Sequence, residues 1–242
     1  MYDKYLVFDI WSCYGHFKKP YTTTSPLTYS IPTRTAVTGM LSAIAGLEKN
    51  TCNRYFSKDK AKIAVSIRKP IKKVRLAENL INTKKSVIRI LEHTQIKFEF
   101  LKDPHYRIYF THNDTQLYEI LKTNLINHSP VYTVCMGLSE NLADFSFIGE
   151  FEGSTICVQN DELVEIDSII PLSSLKQASG SIDFEYNSVG EYFTETIPLE
   201  MDEHRNITEF GEVIFERNCQ KIRGLPLEFI FLKELNEKIV LL

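Results

Sequence analysis

Rings, cations and hydroxyls crowd the stretch between Tyr14 and Thr35, and together they could hold RNA. Tyr14, His16, Phe17, Lys18, Lys19 and Tyr21 alternate flat rings with positive charge, and Thr22, Thr23, Thr24 and Ser25 follow. Rings stack on bases, cations neutralise phosphates, and hydroxyls bond to phosphate and sugar oxygens. Pro32-Thr33-Arg34-Thr35 then reads as a helix start. Free N–H groups and the helix dipole favour an anion there, so Thr33, Arg34 and Thr35 are expected to form an anion site. Each residue taken alone suits a surface loop before a capped helix. The combination favours nucleic-acid contact.

A second basic element follows at Arg68-Lys69-Pro70-Ile71-Lys72-Lys73-Val74-Arg75, five cations in eight residues around a proline. Charge runs are usually solvated surface. The distribution of charge changes that weighting. Residues 1–128 hold 21 of the 28 Lys+Arg and 10 of the 31 Asp+Glu, a balance of +11, and residues 129–242 hold 7 and 21, a balance of −14. Such asymmetry points to a polyanion partner for the first half, with Lys69, Lys72, Lys73 and Arg75 tracking phosphates on a projecting arm. The acidic half would repel that polyanion or meet a basic protein neighbour.

The elements that must position these groups are legible from periodicity. Leu6, Phe8 and Ile10 alternate with Val7, Asp9 and Trp11 in a first strand, and a loop of about twenty residues leads to the helix. Val37, Met40, Leu41, Ile44 and Leu47 form its buried stripe, with Gly39 and Gly46 expected to allow close packing. Asn50 to Lys60 reads as loop and Ile63, Val65 and Ile67 as a half-buried strand. Ile96–Phe100 and Tyr106–Phe110 flank the turn-like Lys102-Asp103-Pro104-His105 and are expected to pair as a hairpin. On it Arg107 and Tyr109 share a polar face that would suit RNA. Asn113 and Gln116 have capping-box spacing before a helix to about Asn127, and Val131–Met136 and Phe145–Phe151 read as strands.

This order is α+β: a ferredoxin-like (RRM-like, βαββαβ) domain over 1–152 carrying an inserted hairpin and basic arm. A smaller, mostly β region over 153–242 packs on it, with strands expected at 156–158, 164–166, 182–186, 192–197, 210–216 and 227–232. Glu200-Met201-Asp202-Glu203 is expected in an exposed loop. The predicted central strands lack the aromatic signature of RNA-recognition motifs, so the loops are the better RNA-binding candidates.

The first strand, the aromatic-basic loop, Ser25-Pro26-Leu27-Thr28 and Pro32-Thr33-Arg34-Thr35-Ala36-Val37-Thr38-Gly39-Met40-Leu41 together resemble the N-terminus of CRISPR-associated protein family five. The resemblance covers residues 5–47 and extends over 131–152, through Gly137-Leu138-Ser139 to Asp144-Phe145, and is nearest to the subtype I-B branch. It implies a Cascade subunit that binds the 5′ handle of the CRISPR RNA, caps the backbone-subunit filament and contacts the large subunit. Contact with target DNA stays open at this point.

Composition excludes other classes. Hydrophobic content of 43% and charged content of 24% are those of an ordinary globular chain. No apolar run is long enough to span a bilayer, and Met1-Tyr2-Asp3-Lys4 lacks the marks of a signal peptide. Cys13, Cys52, Cys135, Cys157 and Cys219 are scattered, as suits reduced thiols, so a cytoplasmic protein without metal or cofactor is expected. No phosphate-binding loop, His-Glu-x-x-His, Gly-x-Ser-x-Gly or paired-Asp constellation occurs. Metal-independent RNA cleavage needs a base, a cation and an acid, which His16, Lys19, Tyr21 and Tyr29 could supply. A subtype I-C relative within the resembling family processes guide precursors with such groups. This chain has no adjacent Lys-His pair in its first half, and subtype I-B systems have a separate processing nuclease. A binder is expected rather than an enzyme.

Overall fold

The computed structural model describes residues 3–22, 24–48, 51–81, 92–159, 162–177, 180–186 and 189–242. Thr23, Asn50, Asn160, Asp161 and Ser188, which the sequence assigns to loops, lie outside them.

The first half runs β1 (Asp3–Ser12), β2 (Tyr14–Gly15), α1 (Arg34–Ala45), α2 (Cys52–Tyr55), β3 (Ala61–Ile67), β4 (Lys73–Ile81), β5 (His93–Lys102), β6 (His105–His112) and α3 (Thr115–Ile126). Then come β7 (Ala143–Cys157), β8 (Val164–Ile166), β9 (Ile170–Pro171), β10 (Tyr192–Met201), β11 (Ile207–Glu216), β12 (Ile222–Gly224), β13 (Glu228–Leu232) and β14 (Glu237–Ile239). The fold is a strand-rich α+β arrangement. Its main sheet has the order β14-β13-β7-β1-β6-β3, with all neighbours antiparallel.

Alternation in β1 sends Leu6, Phe8 and Ile10 to one face, against α1 (Val37, Met40, Leu41, Ile44) and α3 (Leu117, Leu121, Leu125). The other face carries Tyr5, Val7, Ala64 and Tyr109 under Ile230, Leu232 and Ile239 of the returning C-terminal strands. The sheet curls until its edges nearly meet: Asp167 N–H bonds to Lys238 O, Ile169 N–H to Val65 O and Leu242 N–H to Ile63 O. Segment 167–169 thereby covers both edge strands, which removes an exposed pairing edge. The boundary expected at 152/153 falls inside β7, and β13 and β14 belong to the same sheet as β1.

Several local expectations are corrected. β5 and β6 do not pair. Asp103, at φ +49°, turns the chain between sheets, so that β6 joins β1 and β3 while β5 pairs with β4 and β2. The inserted strand pair is therefore Lys73–Ile81 with His93–Lys102. Residues 131–136 are irregular, touching strand geometry only in a Cys135–Leu142 bridge. The cap of α3 is Asp114, whose Oδ1 accepts from Gln116 and Leu117 N–H, rather than Asn113. The loop at 50–60 contains the short helix α2, and residues 182–186 hold only an Ile182–Gly224 bridge. Gly46 ends α1 at φ +79° and is packed under Val131, but Gly39 is exposed on α1 with nothing within 4 Å of where a Cβ would stand.

Candidate nucleic-acid interface

The loop after β1 is held in shape by its own backbone. Phe17 N–H bonds to Thr28 Oγ1, Tyr29 N–H to Phe17 O and Lys19 N–H to Leu27 O, while the Thr22 hydroxyl closes the tip by bonding Lys19 O. The base of the loop is clamped where His16 N–H meets Met136 O at 2.9 Å. Gly137 allows that approach: at φ +90°, a Cβ there would lie 1.9 Å from His16 O.

Between this loop, the outer face of α1, residues 133–138 and the β10–β11 turn lies a cleft of about 600 Å³. Its floor is Thr35, Ala36, Gly39, Met40 and Ala43, its far wall Pro198, Met201 and Ile207, and its cations Lys18 and Arg205. A second cavity, about 420 Å³, continues along α1 over Gly39, Ala43 and Leu47, with Tyr132, Met201 and Arg205 beside it. Neither Lys18 nor Arg205 has a carboxylate within ion-pair distance among the described residues. The two cavities form one groove with an apolar middle and cations at its rim.

The arm is a second surface. In the β4–β5 register Val74 faces Phe100 and Leu76 faces Phe98 on one side, while Arg75 faces Glu99 and Ala77 faces Lys97 on the other. Tyr14 pairs with Lys102, and Lys102 N–H bonds Lys72 O, which sets Lys72, Lys102 and Tyr14 in one row. Phe98 and Phe100 are stacked at 6.0 Å, with Tyr14 6.1 Å and His16 5.6 Å from Phe100. Like charges placed directly opposite destabilise a strand pair. An anion on Lys72 and Lys102 would relieve that.

Comparison with known proteins is decisive for the family. A model described as CRISPR-associated protein (Cas_Cas5) matches residues 5–128. The chain belongs to this CRISPR-associated family. No curated protein sequence matches it. Among solved structures it is similar to a chain of a "CRISPR RNA-guided surveillance complex", at TM-score 0.55 and 12% identity over 90% of this chain and 91% of that one. A CRISPR protein from Archaeoglobus fulgidus gives TM-score 0.51 and 12% identity over 98% and 97%. A chain of the type III-B Cmr-beta complex bound to cognate target RNA and AMPPnP gives 0.50 and 12% over 91% and 86%. At these identities the likeness is one of fold.

Within this family member the structure divides the sequence-predicted residues into two groups. Tyr14, Lys18, Tyr21 (71% exposed), Lys69, Lys72 and Arg75 face solvent, and Thr35 lines the cleft. The others are framework. Arg34, 2% exposed, is no anion site: its guanidinium donates to Phe56 O, Ala61 O and Leu199 O, at 3.0, 2.9 and 3.3 Å. Burial lowers its pKa while Glu200, Glu209 and Asp59 pull it back up. Thr33 caps α1 through Ala36 N–H. Phe17 is core. His16, 1% exposed, donates Nδ1–H to Glu99 O at 2.7 Å, and burial lowers its pKa, so the ring is neutral and sealed from a base stack.

Lys19 and Lys73 converge on Glu195, at 3.2 and 3.8 Å, where the Ser30 N–H and hydroxyl also bond. Arg107 is likewise corrected. Its fork grips Asp9 at 2.7 and 3.1 Å and reaches Glu237 at 3.0 Å, while Arg68 and the Tyr109 hydroxyl also bond Glu237. The sheet face expected to suit RNA is occupied by the chain's own C-terminal strands.

The charge asymmetry thus has an internal component. Lys4, Lys19, Arg34, Lys58, Arg68, Lys73, Arg107 and Lys122 of the basic half all pair with glutamates of the acidic half. Among the described residues, the cations of the basic half with no such partner include Lys18 at the cleft and Lys69, Lys72, Arg75, Lys97 and Lys102 on the arm. Arg205, Lys97 and Lys102 escaped the sequence reading. Arg205 had a signal, as the lone Arg or Lys in the acidic stretch 200–209.

Proposed function

We propose that this family member binds the 5′ handle of a CRISPR RNA as a subunit of a Cascade-like complex of subtype I-B. It caps the backbone filament and contacts the large subunit, and works without catalysing RNA cleavage. We read its central unit as ferredoxin-like, a reading supported by the order β7, β1, β6, β3, which corresponds to fourth–first–third–second of a βαββαβ unit with the arm inserted between its second and third strands. The observation that carries the binding role is the groove along α1, whose rim holds two cations that no described carboxylate neutralises, Lys18 and Arg205. From Lys18 the same loop leads back through His16 to Tyr14 and the lysine row of the arm, a path along which a single strand would meet cations and exposed rings in turn. Lys19, the cation that such cleavage would need at the phosphate, is paired with Glu195 at 3.2 Å, which supports the non-catalytic reading.

The test is binding of labelled repeat RNA and processed guide RNA across a salt series, in chelator. Salt-sensitive binding without cleavage is expected. Lys18→Gln and Arg205→Gln should each weaken it, flattening the salt slope by roughly 0.7 per lost phosphate contact. Unchanged affinity in both variants removes the groove from the interface, and defined cleavage of the repeat would make the chain a nuclease.

A further inference from the structure

Gly39 sits in the middle of a twelve-residue helix, where glycine is a poor choice. Packing does not demand it, because a Cβ at that position would meet no atom within 4 Å. What sets Gly39 apart is its position on the floor of both cavities, in the i, i+4, i+8 row Thr35-Gly39-Ala43. Small side chains keep that floor low. The inner wall of the larger cavity also includes Tyr29 and His16, both almost wholly buried, whose hydroxyl and Nε2 have no hydrogen-bond partner among the described residues. Because His16 Nδ1 is the donor to Glu99 O, its free Nε2 is an acceptor.

The chemistry of the groove separates base from backbone. Ala36, Gly39, Met40, Ala43, Leu138 and Met201 would give a phosphate no donors, and an anion set down there would lose its hydration without compensation. A flat, weakly polar ring suits that middle. Lys18 and Arg205 at the rim would meet the phosphates that flank it, and a guanidinium plane can also stack on a base. Arg205 adopts φ +65° at the tip of the β10–β11 turn, and Asp202, the neighbouring acid, is engaged with Asn206.

We propose that the groove over Gly39 seats one unstacked nucleobase of the bound RNA, with Arg205 lying against it. Gly39 is then a specificity-determining position, because any larger residue fills the seat. This rests on the RNA-binding reading above. It adds that one nucleotide is recognised by its base.

The experiment uses the full chain and handle RNAs in which each nucleotide in turn is made abasic, read by fluorescence anisotropy. With the wild-type protein one abasic position should weaken binding by roughly 5- to 150-fold, the effect of one lost base–aromatic or base–guanidinium stack. Gly39→Leu should fold, since leucine is the better helix former and meets open space, and its melting temperature checks this. It should bind intact and abasic RNA alike, at the weakened level, with an unchanged salt slope. Wild-type affinity in Gly39→Leu, or an abasic series with no sensitive position, overturns the base seat while leaving RNA binding intact. Absence of any salt-sensitive RNA binding by the wild-type chain overturns the RNA-binding reading itself.

Discussion

Arg34 separates a framework role from an RNA-binding one. Alanine at this position removes a guanidinium that is 2% exposed and serves three carbonyls. Those carbonyls belong to three separate segments: the end of α2 (Phe56), the start of β3 (Ala61) and β10 (Leu199). A hydrogen bond to a charged donor contributes about 1.5–3 kcal/mol, and the 3.3 Å bond to Leu199 counts for less than the other two. Each buried carbonyl left without a donor costs about 1–3 kcal/mol, which overlaps with the contribution of the bonds themselves. We therefore expect Arg34→Ala to lose about 4 kcal/mol. Glu200 adds little at 3.9 Å and 29% exposure. For a chain of this size about 1 kcal/mol moves Tm by about 2–4 °C, so the drop should be about 8–16 °C. Arg34→Lys, able to reach fewer of the carbonyls, should fall between. Thermal unfolding of the free protein gives the readout, with RNA affinity measured well below Tm. A variant that melts like the wild type yet binds RNA weakly would place Arg34 on the RNA and refute this reasoning.

Two further outcomes follow from the buried charges. Glu237→Gln leaves Arg68 and Arg107 facing a neutral amide beneath the C-terminal strands, so urea unfolding should lose about 3 kcal/mol. An unchanged midpoint would mean that the network contributes specificity without stability. Burial depresses the His16 pKa below its ordinary 6.5, and that of His105 likewise. The unfolded chain therefore takes up protons first on acidification, and stability present above about pH 6.5 is lost as pH falls through the folded values. Tm should drop from about pH 7 to about pH 5, and less steeply in His16→Gln; equal slopes would exclude His16 as a source.

Periodicity alone located β1, α1, β3, β6, α3 and β7, because each buries one face and alternation or helical spacing records which face that is. The cap at Thr33 was legible for the same reason: it is a local bond. The residue types of the 14–35 loop and the arm pointed to the segments that carry Lys18 at the cleft and the exposed Lys69, Lys72 and Arg75. Sequence could not say which cations were spoken for. Arg34 and Arg107 carry the same charge as Lys18 and Lys72, yet carbonyls and carboxylates 22 to 165 residues away engage the first two, while no described carboxylate pairs with the second two. Pairing was equally hidden. Asp103 looks like a hairpin turn, and only the competition of β1 and β3 for β6 shows that the chain changes sheets there.

Local chemistry, then, determined the α+β class, the family-like N-terminal block and the basic character of one half. The tertiary structure decided the rest. It curled the sheet so that its own C-terminal strands cover the face carrying Arg107 and Tyr109, and it set the acidic half against the basic one. It also brought Arg205 over Gly39, residues that no sequence window connects. The physical reason is that burial, ion pairing and groove formation depend on which distant segments meet, and a linear pattern records only the face each segment offers.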